Sequence, residues 1–131
     1  MRKKEYELVR NDSRGRLIQL VTAKFKQLNI LEMTNNEPWG NHYHKNRYEF
    51  FHVLYGAVSV AIRRINTPVA VTTDFKEGDS FTIEPCKIHT ITNTAEFSRL
   101  LVGYSKAFDP RNPDLHTEDV KPVNPMMKEE V

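Results

Sequence analysis

Gly40-Asn41-His42-Tyr43-His44-Lys45-Asn46-Arg47-Tyr48-Glu49-Phe50-Phe51-His52-Val53-Leu54-Tyr55-Gly56 is the stretch from which the fold of this chain is read. Two histidines stand one residue apart, Glu49 follows the second after four residues, and Gly56 follows Glu49 after six. In an extended strand side chains alternate faces, so His42 and His44 are expected on one side, about 7 Å apart along the backbone. Tyr43 between them then faces away. The polar residues around Asn46 turn the chain, and a second strand begins at Glu49 with Phe51, Val53 and Tyr55 on the same face. His52 has the opposite parity and points outward. Two imidazoles and a carboxylate thus converge inside a β-structure.

The rest of the chain supplies that structure. Asp12-Ser13-Arg14-Gly15 reads as a turn after a lead-in strand or arm over residues 1–11. Strands are expected from Arg16 to Phe25 and from Leu28 to Met33, joined near Lys26 and Gln27. Asn35-Asn36-Glu37-Pro38 turns the chain into the histidine strand. Gly56 is read as the tight link of a hairpin to a strand over Ala57–Ile65, with Val58, Val60, Ile62 and Arg64 on one side and Ser59, Ala61 and Arg63 on the other. Further strands follow over Val69–Thr73, Phe81–Ile83, Ile88–Thr94 and Phe97–Tyr104. Short strands broken by turn residues, with no helical period, predict a small all-β sandwich or barrel. From Phe108 the prolines mark an arm that frays by Met126–Val131. A second turn, strand and histidine unit from Gly78 through His89 to Asn93 offers His89 as a fourth ligand.

Composition narrows the function classes. The 131 residues suffice for one domain with a real core. A net charge of +2, with both signs scattered, leaves no electrostatic footprint for nucleic acid. Arg2-Lys3-Lys4 lacks the apolar run of a signal peptide, and no segment approaches the roughly eighteen apolar residues of a membrane span. The expected location is the cytoplasm. The one cysteine, Cys86, excludes an internal disulfide and reads as a small core residue. His116 is expected in solvent, and Phe50, His52 and Leu54 suggest an outer apolar face that meets a twin in a homodimer.

These residues resemble a cupin. Its first motif, a His-x-His pair, Glu and Gly, is reproduced at full spacing by His42, His44, Glu49 and Gly56. Its second is matched by Gly78, His89 and Asn93, with Glu84 and Cys86 where the motif has Pro and Gly. Asn36 stands where a glycine precedes the first motif. Within the cupins, Asp12-x-Arg14-Gly15-x-Leu17, Gly40 to His44 and Phe108 to Asp114 are similar to segments of the cupins that modify nucleotide-linked 4-keto sugars. These include the C-terminal cupin domains of CapF-type capsule enzymes and the metal-free dTDP-sugar 3,4-ketoisomerases, which share the string His42 to Lys45. Trp39 departs from the CapF type, which carries arginine there. The resemblance implies a double-stranded β-helix, or jelly roll, as a single domain over 1–131. Its core covers about 12–114, with a partly flexible arm over 115–131.

The chemistry implied is epimerisation or isomerisation of a 4-keto nucleotide sugar in polysaccharide or modified-sugar assembly. A divalent metal at His42, His44, Glu49 and His89 would place positive charge where an enolate develops. The mixed nitrogen and oxygen set does not choose among Zn, Mn, Fe, Ni and Cu, and the resemblance favours Zn. A metal-free site with His42 and His44 as acid and base competes. Tyr55, Tyr104 and Lys45 are the candidate proton donors, and Arg14, Arg63 and Arg64 the candidate diphosphate ligands. The rival classes are a non-catalytic metal- or sugar-binding cupin and a cupin dioxygenase.

Overall fold

Ten strands make up the computed structural model, which describes residues 7–118. They are β1 (Glu7–Asp12), β2 (Gly15–Gln19), β3 (Gln27–Met33), β4 (Trp39–His42), β5 (Glu49–Tyr55), β6 (Ala57–Arg64), β7 (Ala70–Lys76), β8 (Ser80–Ile83), β9 (Lys87–Asn93) and β10 (Ser98–Tyr104). One four-stranded sheet runs β3-β10-β5-β8, the other β4-β9-β6-β7, and every pairing is antiparallel. β1 and β2 form a separate hairpin. The two sheets enclose the core of an all-β cupin jelly roll. No helix among the described residues is long and apolar enough to cross a membrane.

The period-two pattern explains which residues meet. Val58 and Val60 of β6 are fully buried and Ile62 packs beside them, while Arg64 at the strand end is exposed. From the other sheet come Val53, Leu100 and Val102. Phe81 stacks on Phe51 at 4.8 Å and on Phe75 at 4.2 Å between ring centroids. Each such side chain removed from water contributes about 1.5–3 kcal/mol. Asn93 closes this end: its amide donates to the carbonyls of Met33 and Asn35, and its Oδ1 accepts from Ser98 Oγ at 2.7 Å.

Several expectations need correction. The strand predicted over 16–25 stops at Gln19, and residues 20–26 run without regular structure. Phe25 there covers Phe50, ring to ring at 5.9 Å, over Gly103, where a Cβ would lie 2.8 Å from the Phe25 ring. Phe50 and His52 are therefore covered by their own chain, His52 also bonding Ser80 Oγ through Nδ1 at 2.6 Å, and of the proposed outer face Leu54 alone is open. Gly56 joins no hairpin: β5 and β6 lie in different sheets, so it is the point where the chain crosses between them. Its φ of +89° and its contact with Phe97 and Ser98 leave no room for a side chain.

Cys86 is exposed rather than buried. It takes φ +63° in the turn before β9, the left-handed conformation that a glycine supplies in the cupin motif. His116 is only partly exposed, because its backbone exchanges hydrogen bonds with Tyr43 and its ring lies 5.3 Å from the Tyr43 ring. The frayed end expected at Met126–Val131 lies outside the described residues.

Candidate metal centre and pocket

His42, His44, Glu49 and His89 come together, with one ligand atom from each lying within 4.8 Å of the others. Three elements deliver them. β4 pairs with β9 so that His42 faces His89, their rings 4.6 Å apart. Glu49 opens β5 in the opposite sheet. His44 is no longer in a strand, contrary to the reading that placed both histidines on one: Asn41 takes φ +57°, the ladder slips between Gly40 and His42, and β4 ends there. The bulge re-aims the chain, and the His42 and His44 rings still lie 5.0 Å apart. Gly40 allows the close approach, since a Cβ would stand 2.6 Å from the His89 carbonyl.

His44, Glu49 and His89 are each buried to within a few per cent of full coverage, and His42 is partly buried. Hydrogen bonding fixes two tautomers. His44 Nδ1 donates to the Asp114 carbonyl at 2.7 Å, and His89 Nδ1 donates to the Lys87 carbonyl at 3.0 Å. In the neutral rings the Nε2 atoms then carry lone pairs, and both face Glu49 Oε1, that of His44 in direct contact and that of His89 at 3.6 Å. With both Nε2 atoms unprotonated, the buried Glu49 Oε1 finds no hydrogen-bond donor. Acceptors therefore converge on acceptors. Backbone carbonyls holding the far nitrogen of inward-facing histidines are the usual support of a metal site, so these four residues fit a divalent cation.

The electrostatics agree in direction. Burial pushes the His42 imidazole down to about 4, helped by His89 and His44 and opposed by Glu49 and Gly40. Burial also lowers His89, against Glu49. For Glu49 burial pushes upward, but a hydrogen bond from His44 and the charge of the three histidines when they are protonated outweigh it and hold the carboxyl below its ordinary value. A neutral His42 and His89 beside an ionised carboxylate are in the protonation states that ligate a cation.

The cluster forms one wall of a pocket of about 390 Å³ between the sheets, which Trp39, Gly40, Ile91 and residues of β3 also line. His42, Glu49 and His89 line it, and His44 does not. Tyr104, opposite Glu49 in the β10–β5 ladder, lines it too. Burial raises the Tyr104 phenol, as does the Glu49 charge, against Arg47 and a hydrogen bond with Asn29.

Comparison with known proteins places this architecture. Residues 10–116 match the polysaccharide biosynthesis C-terminal domain family. The chain belongs to that family. Among curated proteins no sequence matches it. Among solved structures it is similar to the capsular polysaccharide assembling protein CapF from Staphylococcus aureus, with 21% identity over 88% of this chain and a TM-score of 0.69. This chain spans 35% of CapF. It is also similar to QdtA, a sugar 3,4-ketoisomerase from Thermoanaerobacterium thermosaccharolyticum in complex with TDP, at 16% identity, 89% and 87% coverage and a TM-score of 0.73. A 3,4-ketoisomerase from Helicobacter canadensis matches at 17% identity, 87% and 91% coverage and a TM-score of 0.70.

Within this polysaccharide biosynthesis domain, the other predicted site residues stay apart from the pocket. Tyr55 is exposed at the far end of β5, about 20 Å along the strand from Glu49. Leu54 is an extra residue in the ladder, because Tyr55 pairs with Arg99 and Val53 with Leu100, so strand parity breaks before Tyr55. Lys45 is exposed, its backbone bonded to Asp114. Arg14 pairs with Asp12 at 2.7 Å in the turn of the β1–β2 hairpin. Arg63 is held by Glu118 and the Thr67 carbonyl, and Arg64 points to solvent. The reading from sequence missed Arg47. Its guanidinium lies 4.7 Å from the Tyr104 ring centre and 3.5 Å from His44 Nε2, with a buried Nε that has no partner. Its only signal was its place between two ligands, in a segment that reads as a turn.

Proposed function

We propose that this protein is a metal-dependent epimerase or isomerase acting on a 4-keto nucleotide sugar in surface-polysaccharide or modified-sugar assembly in the cytoplasm. The observation that carries the reading is the convergence of three imidazoles and an unpaired buried carboxylate oxygen on the wall of a pocket. QdtA is a sugar 3,4-ketoisomerase and the Helicobacter canadensis protein a 3,4-ketoisomerase, and that supports the substrate class.

His42, His44, Glu49 and His89 would hold the ion, zinc before manganese, iron, nickel or copper. When bound, the ion would supply positive charge where the ketone oxygen becomes an enolate. A histidine whose lone pair is engaged takes no proton, so the carbon's proton passes to a base outside the ligand set, and Tyr104, which lines the pocket beside that set, is placed to return one. Its raised pKa keeps the hydroxyl protonated at neutral pH and makes it the donor that returns a proton to the enolate. Arg47 against the ring face fixes the ring's orientation. Trp39, half exposed on the rim, offers a flat apolar surface to a nucleotide base.

A second reading, metal-free, rests on His42. It opens to the pocket and is held neutral, which suits a base paired with Tyr104 as acid. Two measurements separate the readings. Elemental analysis is expected to find about one divalent ion per chain in the wild type and none in His89→Ala; equal trace metal in both sinks the metal claim. Deuterium from solvent is expected to enter a 4-keto nucleotide sugar, about 10²-fold more slowly in Tyr104→Phe. No exchange across a panel of UDP and dTDP sugars would leave a non-catalytic binding cupin.

The β1–β2 hairpin supports a homodimer. Leu8, Val9 and Leu17 are each more than half exposed, and a lone two-stranded hairpin is marginal in water. A monomer by sedimentation velocity at micromolar concentration would count against it.

A further inference from the structure

His44 is the one member of the cluster that the β-ladders do not hold. β4 ends at His42, and the next strand starts at Glu49. What grips the intervening turn is a segment seventy residues away in sequence. The Asp114 carboxylate accepts the Lys45 amide at 2.8 Å on Oδ1 and the Asn46 amide at 2.9 Å on Oδ2. Its Oδ1 also accepts from His116 Nε2 at 3.0 Å. Tyr43 and His116 exchange both backbone hydrogen bonds, at 2.9 and 3.1 Å, which fastens the strap on the other side of His44. The His44 carbonyl accepts the Cys86 amide at 2.7 Å. Within this frame Asp114 adopts φ +48°, a left-handed conformation that aspartate tolerates better than most residues. That conformation sets the carbonyl 2.7 Å from His44 Nδ1.

We propose that Asp114 is the positioning residue of His44. Its carboxylate locks the turn over residues 43–46, and its backbone carbonyl selects the Nδ1–H tautomer, so that the Nε2 lone pair is presented to the cluster. A backbone carbonyl cannot be deleted by substitution, but it is aimed by the side chain that ties its residue to the turn. Two amides from successive residues need both carboxylate oxygens; an asparagine accepts one of them and offers a donor to the other. A glycine accepts neither, yet adopts the positive φ without strain. The series Asp, Asn, Gly therefore loosens the carbonyl stepwise without changing backbone preference against it.

The consequence for metal affinity rests on the metal reading above; the tautomer does not. The test uses the full chain labelled with nitrogen-15 at histidine. Long-range proton–nitrogen correlation spectra of the metal-free protein should show the His44 Nδ1 carrying a proton in wild type. In Asp114→Gly that proton should be partly lost, giving a mixture with the Nε2–H tautomer. Zinc affinity, measured against a chromophoric chelator, should fall about 10–100-fold in Asp114→Gly and by less in Asp114→Asn. An unchanged His44 tautomer in folded Asp114→Gly overturns the proposal, and so does a tautomer that changes as much in Asp114→Asn as in Asp114→Gly. A wild type that binds no zinc removes the metal reading, while the tautomer series still decides the role of Asp114.

Discussion

The two ends of this jelly roll are buried alike and paired differently. At one end Phe75 and Phe81 stack among Val53, Val58, Val60 and Leu100, each touching groups of its own kind, and Phe51 carries the stack on to the pocket wall. At the other, His44, Glu49 and His89 are as well shielded, yet Glu49 Oε1 has no donor and faces two lone pairs. Apolar burial is favourable on its own account, whereas a buried acceptor without a donor costs about 1–3 kcal/mol. The first end stabilises the fold. The second is held in place by it and is at rest only with a cation or extra protons.

The largest effect expected from breaking this comparison is at the apolar end. Phe81→Ala opens a cavity between two stacked rings and should lower stability by about 3–5 kcal/mol in chemical denaturation. Zinc affinity of the fraction that remains folded should change little. Glu49→Gln should do the reverse. Zinc affinity is expected to fall at least about 100-fold, as a charged ligand is lost. The melting temperature of the chelator-treated protein should hold or rise, because an amide donor now meets the His44 lone pair and the orphaned charge is gone. A lower melting temperature in the metal-free Gln variant would show that the site was satisfied as it stood.

A smaller effect concerns pH. His42, His52 and His89 titrate lower in the fold than their ordinary 6.5, mainly through burial. Below 6.5 the unfolded chain therefore takes up protons before the folded one. The stability from these neutral rings is fully present above pH 6.5 and is lost as pH falls, for His42 down to about 4. Glu49, lowered from 4.5, adds a loss in the same direction below that pH. Melting temperatures of metal-free protein from pH 7 to 4 should decline, and His42→Gln should flatten the decline; a parallel curve would show that His42 contributes nothing to it.

Much of this was legible beforehand because two periodicities carry it. Alternation placed Val58, Val60 and Ile62 on the core face, and the spacing of His42, His44, Glu49 and His89 announced a shared site before any contact was visible. Alternation failed where the backbone departs from it. The bulge at Leu54 turned Tyr55 outward, and the slip at Asn41 took His44 off its strand. Cys86 misled because residue type argued for burial while the turn needed a left-handed backbone in the open. For the arginines, charge alone does not say which partner it meets within the chain: Asp12 holds Arg14, and Glu118 holds Arg63.

The sequence by itself determined the all-β class, most of the strands and the four residues of the cluster, since ligand chemistry and strand period are local properties. Tertiary structure alone decided that Gly56 crosses between sheets, that Arg47 lies on Tyr104, and that Asp114 holds His44 from seventy residues away. Those depend on which distant carbonyl or ring fills the space beside a group, and nothing local to either partner specifies that.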